Sequence, residues 1–460
     1  MPPFSQLPVP VRLRVPVRMF VPMLLALTGF LSFSGCRKPA DTAAVSETAD
    51  VEGGVSDAAA SDPPVARPED SAESVSALES GGATLETDAS GRVTKISVPG
   101  NDETPGMLAA LAGLPNVVEA TFTGPRLVDE GMGAIVNLKR LQRLDLTNSA
   151  ITDATLEYVG QLPELQVLRL RRTAVTDEGL RQLTGLSKLR MIDLRNTNLG
   201  DAGMEPLSKL VRLADVQLEK THVTDSGVQQ LRTLPLVSIN LNYCTSISDA
   251  TLRFLGGMTA LRNLQLDYTR ITDEGMSAVA AMRELQLLRI RGNDITGEGL
   301  RHIAGLDMLA RLEFRDSSID DRGMEVVAGL PAVTHLDLAE CKLVSSEGLS
   351  RIGGLTGLTY LGLTETRLDD DALNALGGLV ALRELDVSGT SIGDDSLETL
   401  LKFEQLETLN VSGTYLSNDS FRELGKLPKL KVLKAANTEI GFDVVDELTE
   451  ARPGLEVIDF

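Results

Sequence analysis

The chain has 460 residues, about three times an ordinary domain, so it holds several domains or one long array. Its 44 basic and 65 acidic residues give a net charge of −21, which argues against a broad nucleic-acid face. Three cysteines exclude a disulfide scaffold, and three histidines without a Cys-x-x-Cys pair argue against a structural zinc site.

The first 36 residues contain Arg12, Arg14 and Arg18, no acid, and an apolar run over 19–33 that ends in Ser34, Gly35 and Cys36. That is the order of a secretory signal, and the run is shorter than the ~20 residues a spanning helix needs. Phe33-Ser34-Gly35-Cys36 resembles the bacterial lipobox, although that family prefers leucine where Phe33 stands. The resemblance implies that Cys36 is the diacylated first residue of a mature chain. The protein would then be exported and lipid-anchored to a cell envelope, on its periplasmic or outer surface, and otherwise secreted.

The composition shifts after Cys36. Residues 37–80 hold ten acids against three bases, with Pro63, Pro64 and Pro68 and no aromatic side chain. Too little apolar surface is present to offset chain entropy, so 37–82 is expected to be a disordered acidic tether with a reach of roughly 35 to 40 Å. Residues 83–113 then read as an amino-terminal cap and a degenerate first repeat. Within them, 84–87 and 92–98 form a hairpin that turns at Ser90-Gly91.

From about position 90 the chain repeats every 24 residues, most clearly over 114–450, in fifteen copies plus a final strand in 451–460. In the copy that starts at Leu162, Leu168-Arg-Leu170 has the two-residue period of a strand, and Leu180, Leu183 and Leu186 have the spacing of a helix face. Thr176-Asp177 precedes the helical part, as do Thr152-Asp153, Thr224-Asp225 and Thr272-Asp273, where a side-chain oxygen can accept an orphan backbone N–H. One unit cannot bury its own apolar side, so neighbours must stack strand beside strand.

The pattern L-x-x-L-x-L-x-x-(T/N/C) at this period resembles the leucine-rich repeat family, in the helix-containing subtype of ribonuclease-inhibitor-like, F-box-associated and exported bacterial proteins. The resemblance implies an α/β solenoid: a curved horseshoe with a parallel sheet on the concave side and short helices on the convex side. Fifteen copies would span about 70 Å at roughly 4.8 Å per strand. It also places Cys244 and Cys341 at the inward position where Thr173, Thr197 and Thr221 stand, as buried free thiols too far apart to pair.

No phosphate loop, nucleophile elbow or H-E-x-x-H is present, and His222, His302 and His335 fall in different copies and read as separate surface residues. An enzyme, a cofactor or a metal is not expected. The informative positions are the outward strand residues, because the fold does not dictate them. They include Val167, Arg169 and Arg171, followed by Arg172, and later Leu287, Arg289, Arg291, Arg311, Glu313 and Arg315, with Tyr243 and Tyr268 at the rim. Arginine and tyrosine often anchor interfaces, so Arg289, Arg291, Arg311, Glu313 and Arg315, with Tyr268, are candidate contacts for a protein or an anionic polymer. Against this, Glu313 and Asp267 could pair with the arginines into a solvated charge ladder. The expected function is non-enzymatic binding through the concave face. The alternatives are a structural or self-associating envelope spacer and an intracellular F-box-like substrate receptor.

Overall fold

The computed structural model describes residues 68–101 and 104–459. The signal segment, Cys36 and the tether up to residue 67 lie outside the described residues. Among the described residues no helix is long and apolar enough to cross a membrane.

Among the described residues seventeen strands form one sheet. Thr84–Thr87 pairs antiparallel with Val93–Pro99, and from there each strand pairs in parallel with the next repeat's strand through to Glu456–Ile458. Most strands are three residues long, as in Val167–Arg169, with the central leucine fully buried and its neighbours half-buried. The register is set by that leucine. It survives a spacing of 23 residues between Asp215 and Ser238 and of 25 between Ser238 and Asn263, because the length change is absorbed outside the strand.

The return path of each repeat is a short α-helix that often tightens into a 3-10 turn, as in Asp177–Leu180 followed by Arg181–Leu183. Leu180 and Leu183 are fully buried, and each such leucine contributes roughly 1.5–3 kcal/mol. Strands stack at ~4.8 Å while helices need about 10 Å of width, so the sheet lies on the inner side of the curve. Thr173, Thr197 and Thr221 donate to Leu170, Leu194 and Leu218 carbonyls at 2.6–2.7 Å, as expected of the inward position. Cys244 and Cys341 are buried free thiols at the same place, donating to the carbonyls of Leu218 and Phe314.

The Thr-Asp pairs do more than cap. Thr152, Thr176 and Thr224 are N-caps whose hydroxyls accept from the second helical N–H, whereas Thr272 occupies that position without such a bond. The aspartate that follows serves the next repeat. Asp153 accepts from the Thr176 backbone N–H and hydroxyl, both at 2.7 Å, and Asp201, Asp225, Asp249 and Asp273 hold Thr224, Ser248, Thr272 and Thr296 in the same way. The glycine of each T-D-x-G segment faces the preceding aspartate, and a Cβ on Gly275 would sit well inside 3.0 Å of Asp249 Oδ1. Where glycine is missing, Thr155, Thr251, Ser396 or Ser420 donates a hydroxyl to that carboxylate instead.

The amino-terminal end corrects one expectation. The tether is expected through 82 and the cap from 83, but a helix and its cap already occupy residues 71–80. Ser71 caps the helix Ala72–Ser80, which buries Leu78. Asp70 accepts from the Val93 N–H at 2.5 Å, Ser71 N–H donates to the Gly113 carbonyl at 2.9 Å, and Asn116 donates to the Pro68 carbonyl at 2.7 Å. Averaged over the forty-odd residues of an acid-rich segment, one helix with an apolar side at Val75 and Leu78 leaves no compositional trace. The expected hairpin is present, with Gly91 at φ +79° and Asp88 accepting from the Ser90 and Arg92 N–H groups. At the other end the last helix is Phe442–Ala451, so Ala451 belongs to it rather than to the final-strand segment.

Candidate binding face

Two-residue alternation puts three side chains per repeat on the sheet face, and one more residue leaves the strand at the rim. That rim residue is left-handed in repeat after repeat: Asn148, Arg172, Asn196, Lys220, Tyr243, Tyr268, Asp316 and Glu340 all have φ between 52° and 62°. Nothing in residue type announces this, since Arg, Lys, Tyr and Glu are ordinarily unfavourable there. The repeat position imposes it.

The arginines singled out in the sequence lie on adjacent strands, and most of their charge is matched within the sheet. Glu313, only 2 % exposed, accepts from Arg311 Nε at 2.7 Å and Arg291 at 2.5 Å and pairs with Arg289 Nε at 3.1 Å. Asp267, 1 % exposed, accepts from Arg289 at 2.7 Å and pairs with Arg291 Nε at 3.4 Å. Burial pushes the Glu313 carboxyl upward, but three guanidinium groups hold it below its ordinary value. Asp267 and Asp337 have fewer cations, and burial raises both. Arg315 reaches only Glu340, at 3.9 Å. The arrangement at Arg289, Arg291 and Arg311 is the charge ladder rather than an open cationic patch.

Two aromatic features complete this region. Tyr268 stacks on Tyr243 with ring centres 4.9 Å apart, and Lys220 lies 4.8 Å from the Tyr243 ring centre on the strand before it. The Tyr268 ring lies over Gly292, where any Cβ would collide with it, and its hydroxyl donates to Asp316 at 3.4 Å, two repeats on. His335 stacks on Tyr360 at 3.9 Å. It is not a plain surface histidine: burial, with Arg311 beside it, pushes its imidazole down to about 4. His222 is exposed and His302 half-buried, each on its own repeat.

A second basic cluster, on the strands around 169, is matched less well. Arg195 is held bidentately by Asp193 of its own strand at 2.9 and 2.6 Å, and Arg169 is 3.9 Å from Asp145. Arg171 has a buried Nε that meets no acceptor among the described residues. Between the two clusters runs a well-bonded stretch in which the amides of Gln217, Asn240 and Asn242 are at most 2 % exposed. Among the described residues no group of three or more His, Cys, Asp or Glu side chains could hold a metal ion.

The described residues thus define an unclosed repeat solenoid with an invariant interior and a variable sheet face. The family description "Leucine-rich repeat region" matches residues 132–340, and "Leucine Rich repeat" matches 381–401. The chain belongs to the leucine-rich repeat proteins, whose fold generally mediates protein binding without catalysis. Among solved structures it is similar to a chain of the Rad7 and Elc1 complex in yeast, at 18% identity over 73% of this chain and 84% of that one, with a TM-score of 0.50. An internalin from Listeria monocytogenes is 24% identical over 74% of this chain and 86% of its own, with a TM-score of 0.46. A leucine-rich repeat protein of Leptospira interrogans is 19% identical over 79% and 99%, at 0.47. No curated protein matches the sequence.

Proposed function

We propose that this protein is a non-enzymatic binding protein of a bacterial cell envelope, exported through residues 1–36, held to a membrane by acylated Cys36, and taking a protein partner on its sheet face. The observation that carries the binding reading is the contrast between columns. Inward positions repeat leucine after leucine, whereas the strand face changes chemistry along its length, from arginines through amides to the network around Glu313. Stability alone does not require that variety. The envelope address is supported by the charge, length and small-residue order of the first 36 residues.

Two measurements test the two halves. Expressed in a bacterial host, the wild-type chain should gain a diacylglyceryl mass and pellet with membranes, and Cys36→Ala should lose both. A soluble wild-type chain without that mass removes the anchor. For the face, peptides selected from a displayed library on the full chain should lose affinity at least about tenfold on Asn263→Trp, a strand-face change, and stay within about twofold on Ser277→Trp, a helix-side change. The reverse pattern takes the binding site off the sheet.

A further inference from the structure

The two arginine clusters on the sheet face differ in what is left over after internal pairing. Over the four strands and rim positions from 263 to 340, Arg289, Arg291, Arg311 and Arg315 meet five carboxylates, those of Asp267, Glu313, Asp316, Asp337 and Glu340. Over the four strands from 119 to 196, Arg143, Arg169, Arg171, Arg172 and Arg195 meet only Glu119, Asp145 and Asp193. The larger sequence signal sits where the charge is cancelled, and the residual positive charge, at Arg171, sits five repeats before Arg291.

Arg171 concentrates that residue of charge. Its strand, Val167–Arg169, runs on into it, so it lies on the same face as Arg169 two residues before. Both flanking main chains lock its position: its carbonyl accepts from the Asn148 N–H at 2.9 Å, and the Arg172 N–H donates to the Arg195 carbonyl at 3.0 Å. Arg195, the adjacent residue on the next strand, is engaged by Asp193 and cannot turn to another anion without breaking that fork. Of the arginines whose Nε is buried without a hydrogen bond, Arg289, Arg291 and Arg315 each have a carboxylate within 4.0 Å, and Arg171 among the described residues has none. A guanidinium whose inner donor is buried without a partner is under-satisfied, and a carboxylate met from outside by its terminal nitrogens offsets that deficit.

We infer that Arg171, with Arg169 beside it, is the seat for a single acidic side chain of the protein partner. This rests on the sheet-face reading above and narrows it to one locus. The surroundings select a point anion over a long polyanion. Two strands on, Glu219 continues the column of Arg171 and Asp215 stands in that of Val167, and on the other side stands Glu119 beside Arg143, so a polymer carrying charge at every residue would be repelled at both flanks. The guanidinium fork matches a planar carboxylate, and an isolated Asp or Glu on a largely neutral peptide meets the site without those repulsions.

The test uses the full chain with nitrogen-15 arginine and the capped peptide acetyl-Gly-Gly-Glu-Gly-Gly-amide at low ionic strength, read at the arginine Nε–H resonances. The expected result is a saturable shift at Arg171 and Arg169. The glutamine version of the peptide should bind at least about tenfold more weakly, and so should the Arg171→Gln protein. Arg171→Lys, which keeps the charge and loses the fork, should fall between. Arg322→Gln, on the helix side, should match wild type within about twofold. Equal affinity for the two peptides, or an unchanged affinity in a folded Arg171→Gln protein, overturns the assignment. Shifts confined to Arg289 and Arg311 overturn it while leaving the sheet face as the binding surface, whereas shifts confined to helix-side arginines such as Arg181 and Arg322 overturn both. A sulfated oligosaccharide that shifts Arg171 where the acidic peptide does not replaces the peptide partner with a glycan.

Discussion

The aspartate ladder at the helix starts and the arginine lattice on the sheet face both hold charge out of full contact with water, and they do it by opposite means. In the ladder each carboxylate is satisfied by neutral donors of the next repeat: Asp225 accepts from the Ser248 N–H, the Ser248 hydroxyl and the Thr251 hydroxyl at 2.6–2.9 Å. In the lattice Glu313 and Asp267 are satisfied by guanidinium groups that in turn depend on them. The first is the same rung many times over, so a lost rung is a local event. The second exists once, and removing its centre leaves three cations short of a partner.

The acid response separates them further. Burial raises Asp129 and Asp225, but hydrogen bonds from Thr152 and Thr155, or from Ser248 and Thr251, outweigh it and hold them below the usual carboxylate value. Their stabilisation is present above that usual value and is lost as pH falls through the lowered folded one. Asp215, Asp267 and Asp337 are raised by burial, so their charged forms oppose folding at neutral pH, and that opposition fades as acid protonates them.

The largest loss is expected at the centre of the lattice. Glu313→Ala should cost about 4 kcal/mol in denaturant unfolding with an unchanged slope, because Arg289, Arg291 and Arg311 lose their shared carboxylate. A loss below about 1 kcal/mol would mean that water satisfies the arginines. His335 gives the next largest effect. With its folded value at about 4, the unfolded chain binds its proton first, so stability falls by roughly 3 kcal/mol as pH drops from about 6.5 to about 4. His335→Phe keeps a ring on Tyr360 and should flatten that limb of the pH–stability curve.

On the ladder side, Gly275→Ala should cost about 2 kcal/mol, since its methyl group is forced against Asp249, while Gly185→Ala, with no atom within 4 Å of the added Cβ, should stay within about 0.5 kcal/mol of wild type. Equal melting temperatures for the two would remove the packing explanation for the repeated glycine. The smallest expected change is Asp225→Asn, about 1 kcal/mol, with loss of that residue's share of the acid sensitivity. Unfolding measured at two pH values checks both parts.

Much of this architecture was legible beforehand. Leu168 and Leu170, the helix-facing Leu180 and Leu183, the Thr-Asp caps, the hairpin turn at Gly91 and the inward thiols all follow from local period and residue type, and each sits where that reasoning puts it. The second role of each aspartate was hidden, although the glycine two residues after it in every T-D-x-G was its mark: the glycine is small because the preceding repeat's carboxylate occupies the space of its Cβ. The candidate site was half legible. Its strands and its residues were right as neighbours, but an arginine-rich stretch reads the same whether its charge is open or cancelled.

The sequence by itself determined the repeat, the sheet with helices behind it, and which side chains face inward, because a 24-residue period forces the apolar side of each unit onto its neighbour. Only the tertiary structure decided which arginines are spent. Charge cancellation depends on distances between side chains of different repeats, as with Arg289 at 2.7 Å from Asp267 and Arg171 with no carboxylate within 4.0 Å among the described residues, and those distances are fixed by stacking across strands rather than by the order of residues along any one of them.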